Sequence, residues 1–460
     1  MNPEYEEKKV FVSPGFSEKL ITSPKAHAHI IMIATKPDII KQAPLYLELK
    51  RREELVLLVH TGQHYDYNLS KGVLEEFGME VDINLNIFGP IHKKYSLIVE
   101  RLGNTLTTIA EKYNKIPVPY VHGDTLTAAT ADKAAFLNKF AVVHVEAGIR
   151  TFTPKKEFFE NLFQDYEGGD FNWDRYYESL QDESHYEQAS MEPYPEQFCT
   201  RSIEASTGFF AIPVPLYKKT LLKEGFSRDI MGITGNTVVD AIRISQGKVE
   251  TSKAFEQYPN MKDKKFIFVT IHRRENTEKK ERFLALYYAL KKLIMDGVDV
   301  CFLGLYASEA AIDRYGLRDD IEELKKKYKD NFAYGPALAH HHEVIDMISK
   351  AGAVVTDSGS MQEEANIVNT PCVTLRFGSD RIETVFAGAN VIAPPINSCL
   401  IYDIVKGAID NKKMKKENIY GENVSERIVD GVLKVLKRNG KLFRFDDERL
   451  DLEKYFDYKI

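Results

Sequence analysis

The chain has 460 residues, 43% of them hydrophobic and 28% charged, an ordinary globular composition for two or three domains. Its apolar runs, such as 208–216 and 301–306, are too short to cross a bilayer, and MNPEYEEKKV lacks the basic-then-apolar pattern of a signal peptide. A net charge of −6 without a basic stripe argues against a nucleic-acid partner. The four cysteines, Cys199, Cys301, Cys372 and Cys399, lie far apart with no CxxC pair, which argues against a disulfide framework or zinc ribbon and predicts a cytoplasmic protein.

Residues 1–28 are polar and show no clear period, so they read as an N-terminal extension. From there the chain alternates. Strands are expected at His29–Thr35, Leu55–His60, Val118–His122, Ala141–Val145 and Gly208–Pro213, with helices at Asp38–Arg52 and Leu126–Asn138. Residues 155–192 interrupt this rhythm with eleven Asp and Glu against three Lys and Arg, a net of −8 that exceeds the charge of the whole chain. A second set has strands at Phe266–Ile271, Val298–Leu303, Ala353–Thr356, Cys372–Leu375 and Val391–Ala393. Helices at Glu278–Met295, Glu343–Lys350, Ser360–Val368 and Arg381–Ala387 lie between them. Strand–helix–strand repeats build parallel sheets covered on both faces, so two doubly wound α/β domains are expected. They span 29–236, with an acidic insertion at about 152–194, and 237–422. An amphipathic helix beginning at Val424 opens the closing segment 423–460, which should pack back on the first domain.

Such sheets bind ligands beyond the carboxyl ends of their strands, and the chemically interesting residues cluster there. Thr61-Gly62-Gln63-His64, His122-Gly123-Asp124, Glu146-Ala147-Gly148, His272-Arg273-Arg274 and Asp357-Ser358-Gly359-Ser360 all follow expected strands. No GxGxxG and no Walker A motif occurs. His60 and His64 flank a turn rather than sharing a helix face, and His340, His341 and His342 cannot all converge on one ion, so no metal site is expected. The segment 357–364 runs from a strand through small residues into a helix, which suits a phosphate or, equally, an ordinary Asp/Ser cap. Asp124, Glu146 and Glu196 are candidate acids or bases, with capping and salt bridging as the plain alternatives.

The ordered motifs ATKPDIIKQAP (34–44), TGQHYD (61–66), NLNI (84–87), HGDTLTA (122–128), HVEAGIRT (144–151), PEQ (195–197), GNTVVDA (235–241), HRREN (272–276), DSGSMQEEA (357–365) and Arg381-Ile382-Glu383 resemble the non-hydrolysing UDP-N-acetylglucosamine 2-epimerases over about 29–436. The resemblance implies two Rossmann-like domains of the GT-B type with the active site in the cleft between them. It implies a homodimer that interconverts UDP-GlcNAc and UDP-ManNAc for surface-glycan synthesis, with neither metal nor other cofactor. The route is elimination of UDP to a 2-acetamidoglucal, then re-addition. It further implies that Asp124, Glu146 and Glu196 transfer protons, that His272 assists the departing diphosphate, and that Lys36, Arg273, Ser358, Gly359, Ser360, Glu364 and Arg381 bind UDP and its phosphates. Gln63 and His64 would belong to an activator or sugar site.

Several positions depart from the family pattern. Lys36 and Thr200 stand where arginine is usual, Ser360 replaces a glycine, and Phe88-Gly89-Pro90 follows NLNI without a basic residue. The insertion at 152–194 joins Glu146 to Glu196, and its aromatic residues suggest a small helical element serving as a lid or dimer contact. Other readings are an epimerase of a modified UDP-sugar such as a diacetamido uronic acid, a hydrolysing epimerase, a GT-B glycosyltransferase, and a nucleotide-sugar sensor without turnover.

Overall fold

The computed structural model describes residues 9–62, 67–188, 196–410, 413–414 and 417–444. Among these described residues, sixteen strands occur in chain order. The first ten are β1 (Phe11–Val12), β2 (His27–Ile33), β3 (Leu55–His60), β4 (Ile83–Asn84), β5 (Ile116–His122), β6 (Val142–Val145), β7 (Thr153–Pro154), β8 (Tyr186–Glu187), β9 (Thr207–Ile212) and β10 (Met231–Ile233). The remaining six are β11 (Ile267–Thr270), β12 (Val300–Gly304), β13 (Phe332–Pro336), β14 (Ala353–Thr356), β15 (Cys372–Thr374) and β16 (Asn390–Ile392).

They form two large sheets. The first runs β1-β4-β3-β2-β5-β6-β9-β10 and the second β13-β12-β11-β14-β15-β16. Every pair in them is parallel except β1 with β4. The second order is the doubly wound 3-2-1-4-5-6 sequence, and the first contains it from β4 to β9. In both sheets the order reverses beside the first-formed strand, which places a crevice at β2/β5 and another at β11/β14. Strands such as β3 (LVLLVH) are buried along their whole length, because helices cover both faces.

Within the polar N-terminal segment, residues 9–28 carry more structure than their composition suggests. Strand β1 pairs with the edge of β4, and the helix Phe16–Thr22 buries Phe16 and Leu20 under the first sheet. Residues 91–113, given no element from the sequence, form a 23-residue helix. The closing helix Val424–Asn439 buries Val424, Ile428, Val432 and Leu436 in the same apolar cluster as Ile39 and Tyr46 of the helix Lys36–Arg51. Arg52 pairs with Asp430 at 2.5 Å on that face. Among the described residues, no helix is long and apolar enough to cross a membrane.

The acidic insertion folds as helices Lys156–Glu167 and Trp173–Ser179 with the short pair β7–β8. Its aromatic face is not free to serve as a dimer contact, because the second sheet's layer covers it. Phe159, Leu162, Tyr176, Tyr177 and Tyr186 join the core of that layer. The hydroxyls of Tyr176 and Tyr177 donate to the carbonyls of Ile392 (2.6 Å) and Gly388 (2.8 Å), and Trp173 Nε1 donates to that of Ile404 (3.0 Å). At its entry, Phe152 and Ser379 exchange two 3.0 Å backbone hydrogen bonds. The insertion therefore leaves one sheet and docks on the other.

Candidate active site

The two crevices face each other across a cavity of about 510 Å³. From the first sheet it is lined by Thr35, Pro37, Asp38 and Lys41 after β2, by His122, Asp124 and Thr125 at the end of β5, by Glu146 after β6, and by Glu196. From the second it is lined by His272–Glu275 after β11, Ser358–Ser360 after β14, and Asp380 and Arg381. All four expected catalytic positions, and Arg273, Ser358, Gly359, Ser360 and Arg381, thus meet in one place.

Each is set by local structure. Thr125, not Asp124, caps the helix Leu126–Leu137 by accepting from Ala128 N, so the capping alternative for Asp124 does not hold. Glu146 adopts φ 68°, a left-handed conformation that non-glycine residues rarely take, at the tip of β6. Glu196 opens the helix Glu196–Glu204. Burial raises its carboxyl pKa and the neighbouring Asp124 charge adds to this, while Arg273, 3.1 Å away, opposes both.

At the 272 loop, the buried Asp357 carboxylate accepts from the backbone N–H groups of His272 and Arg273, and lies 3.2 Å from His272 Nδ1. Burial alone would raise the Asp357 pKa, but His272 and those N–H groups bring it below the usual range. With Nδ1 turned to Asp357, Nε2 is the ring nitrogen left for a ligand. Ser358 is the N-cap of the helix Gly359–Ile367, whose N-terminus borders the cavity. Ser358 is therefore a cap whose helix N-terminus also faces the cavity.

Beneath the cavity lies a buried ionic network that the sequence does not reveal residue by residue. Lys41 Nζ lies 2.7 Å from Glu146 and 2.6 Å from Glu363. Arg381 pairs with Glu146 at 3.0 Å and with Glu363, and Asn236 donates to both carboxylates at 2.8 and 2.9 Å. His122 Nε2 is 2.9 Å from the other Glu146 oxygen. Burial works against its charge, yet Arg381, Lys41 and His122 hold the Glu146 carboxyl well below its ordinary pKa, whereas burial raises that of Glu363. Both Glu146 oxygens are therefore committed to cations and an amide. Lys41, His122, Asn236 and Glu363 were missed as site residues, although all four lie inside motifs quoted above; their buried charge pairs are a property of the fold.

Two expected phosphate or nucleotide contacts sit elsewhere. Lys36 is not among the residues lining the cavity; its Nζ donates to the carbonyls of Leu338 (3.4 Å) and Ala339 (3.2 Å), and burial pushes its pKa down. Glu364 lies further along the same helix, 3.3 Å from His341 Nε2. Thr200, at the usual arginine position, is buried and bonds to Glu204 at 3.3 Å. Gln63 and His64 lie outside the described residues.

Comparison with known proteins points to one family. The chain is 27% identical to the UDP-N-acetylglucosamine 2-epimerase of Campylobacter jejuni over 420 residues, covering 88% of this chain and 97% of that protein. It is 29% identical to the enzyme of the same name from Bacillus subtilis over 419 residues, covering 87% and 94%. Among solved structures it is similar to the Methanocaldococcus jannaschii UDP-GlcNAc 2-epimerase in complex with UDP-GlcNAc and UDP, with TM-score 0.71, 25% identity and coverage of 88% and 99%. It is likewise similar to the Neisseria meningitidis enzyme bound to UDP-GlcNAc, with TM-score 0.70, 25% identity and coverage of 88% and 100%. The family model described as UDP-N-acetylglucosamine 2-epimerase matches residues 47–164 and 188–433, and the chain belongs to that family.

Proposed function

We propose that the protein interconverts UDP-GlcNAc and UDP-ManNAc in the cleft between its sheets. The observation that carries this is the meeting of Asp124, Glu196 and His272 with Arg273 and Arg381 in one cavity at two facing switch points. C2 of the sugar has no adjacent carbonyl, so its proton leaves only as C1–O breaks. A base takes the C2 proton, the C–H electron pair becomes the C1=C2 bond, and the C1–O pair departs on the diphosphate. Return follows the same path, with a proton reaching C2 from the other face.

The environments divide the roles. Glu196, whose pKa burial raises, is suited to hold a proton, while Asp124 beside it in the cavity is the partner base. Glu146 acts as a positioning carboxylate, ionised and held by Lys41, Arg381 and His122. His272, oriented by Asp357, protonates the departing diphosphate, and the N-terminus of the helix Gly359–Ile367 and Arg273 support its charge.

The test is incubation with UDP-GlcNAc in D2O followed by proton NMR. UDP-ManNAc carrying deuterium at C2 is the expected product; free ManNAc with UDP would replace epimerisation by hydrolysis. Asp124→Asn should abolish exchange with folding intact, whereas Glu146→Gln should lose stability as well. We further infer a homodimer, supported by the family resemblance, and a cytoplasmic setting, supported by four unpaired cysteines. Light scattering that returned a single chain mass would remove the first.

A further inference from the structure

Outside the cleft, one cluster among the described residues brings three metal-ligating side chains together: Glu76, His340 and His342, whose ligand atoms all lie within 4.8 Å of one another. Glu76 ends the helix Tyr67–Glu76 beside the first sheet, and the histidines stand at the start of the helix His341–Lys350 beside the second. The alternation is what allows convergence. His340 and His342 stack at 5.3 Å, while His341 turns away to Ser245 (2.8 Å) and Glu364 (3.3 Å). So the three consecutive histidines do not share a centre, but two of them do.

We propose that Glu76, His340 and His342 form a divalent transition-metal site, best suited to Zn²⁺, that ties the two sheets together beside the cleft. His340 Nδ1 lies 3.8 Å from one Glu76 oxygen and His342 Nδ1 3.1 Å from the other. Tetrahedral zinc with bonds of about 2.0–2.1 Å places neighbouring ligand atoms roughly 3.3 Å apart, so small ring rotations admit the ion. Two imidazoles and one carboxylate are a donor set that zinc accepts, with water in the fourth position. Glu76 also accepts from the backbone N–H groups of His341 and His342, and this both orients the carboxylate and screens the positive helix terminus from the cation. The neighbouring loop is the one whose Leu338 and Ala339 carbonyls Lys36 holds, so the ion would reinforce an existing contact between the halves.

The test uses the full-length, metal-freed protein titrated with Co²⁺ and then Zn²⁺. One Co²⁺ per chain with visible bands of a four-coordinate site, displaced by Zn²⁺, is expected. His340→Gln is the main variant, because that ring is half exposed and its loss should spare the fold; it should weaken Zn²⁺ binding at least about 10-fold. His92→Gln, on an exposed residue of the helix Ile91–Tyr113, should bind as the parent does. Hydrogen exchange should slow in both 71–76 and 338–342 on adding Zn²⁺ to the parent, and in neither for His340→Gln. Absence of binding tighter than about 100 μM at neutral pH overturns the site. Equal binding by His340→Gln, or protection confined to one of the two segments, does so as well.

Discussion

Gly407 lies in the helix Ser398–Asp410 directly beneath the Trp173 indole, and a Cβ added there would fall inside the ring. Gly407→Ala therefore expels the indole. The expelled ring loses its 3.0 Å hydrogen bond to the Ile404 carbonyl, worth about 1 kcal/mol net. It loses the stack on Tyr177, at 5.0 Å between centroids and 15° between planes, worth about another 1 kcal/mol. Re-exposing a half-buried indole costs about 1.5 kcal/mol more. Alanine in a helix interior returns about 1 kcal/mol. Docking should weaken by about 2.5 kcal/mol, roughly 60-fold. Trp173 is the only tryptophan, so its fluorescence reads this one docking event. The emission of Gly407→Ala should shift to the red, and its urea midpoint by fluorescence should fall below that by far-UV circular dichroism. Parent-like emission with an unchanged midpoint would refute the docked arrangement.

Other substitutions probe the network and the return of the C-terminal segment. Burial lowers the His122 pKa, but Glu146 at 2.9 Å and Asp38 at 3.4 Å raise it further, to about 9. A pKa above the unfolded value of about 6.5 means its stabilisation, about 3 kcal/mol, is complete below pH 6.5 and lost as pH rises through 9. His122→Asn should flatten that decline in a pH series of unfolding curves; an unchanged slope contradicts the assignment. Lys41→Met leaves Glu146 and Glu363 sharing Arg381 in a buried site, and should cost about 3–5 kcal/mol in thermal or denaturant unfolding. Gly235 has φ +96°, and a Cβ there would meet the Tyr420 carbonyl and Val424. Gly235→Ala should cost at least about 1–2 kcal/mol from backbone strain alone and hasten proteolysis at 417–424; parent-like cleavage would show that the segment does not need this approach.

The α/β alternation was legible because buried parallel strands are continuous apolar runs: HIIMI, LVLLV and FIFVT announce β2, β3 and β11 by composition alone. The helix Ile91–Tyr113 was not, although Leu97, Ile98, Leu102, Leu106 and Ile109 keep helical spacing. Gly103 and the threonines around it dilute the local preference, and packing on the helix Leu126–Leu137 supplies what propensity does not. Strand β1 offers only Phe11 and Val12, both exposed, and exists because β4 presents an open edge. At the site, residues after strands were legible because topology puts them there. The position of the Lys36 ammonium against Leu338 and Ala339 was not legible, because packing, not sequence, decides which way a side chain at a helix start turns.

The insertion and a set of buried charges both tie the two halves together. The buried charges lie across the halves: Lys41 and Glu146 come from the first sheet, Glu363 and Arg381 from the second. Opening would separate each cation from one of its carboxylates, so the two halves favour the closed pairing. The insertion follows Glu146 and precedes Glu196, yet its aromatic face is bonded to the second half through Tyr176, Tyr177 and Trp173. Gly378, Gly388 and Gly407 leave the room it fills, since a Cβ at each would collide with Phe152 and Thr153, with Tyr177, and with Trp173. The insertion is thereby fixed to the half that carries Arg273. Glu196 pairs with Arg273, which belongs to that same half. Undocking the insertion should disturb that pair, and so lower kcat more than it raises KM for the UDP-sugar. Kinetics of Gly407→Ala decide this: a change in KM alone would reduce the insertion to a stabilising strap.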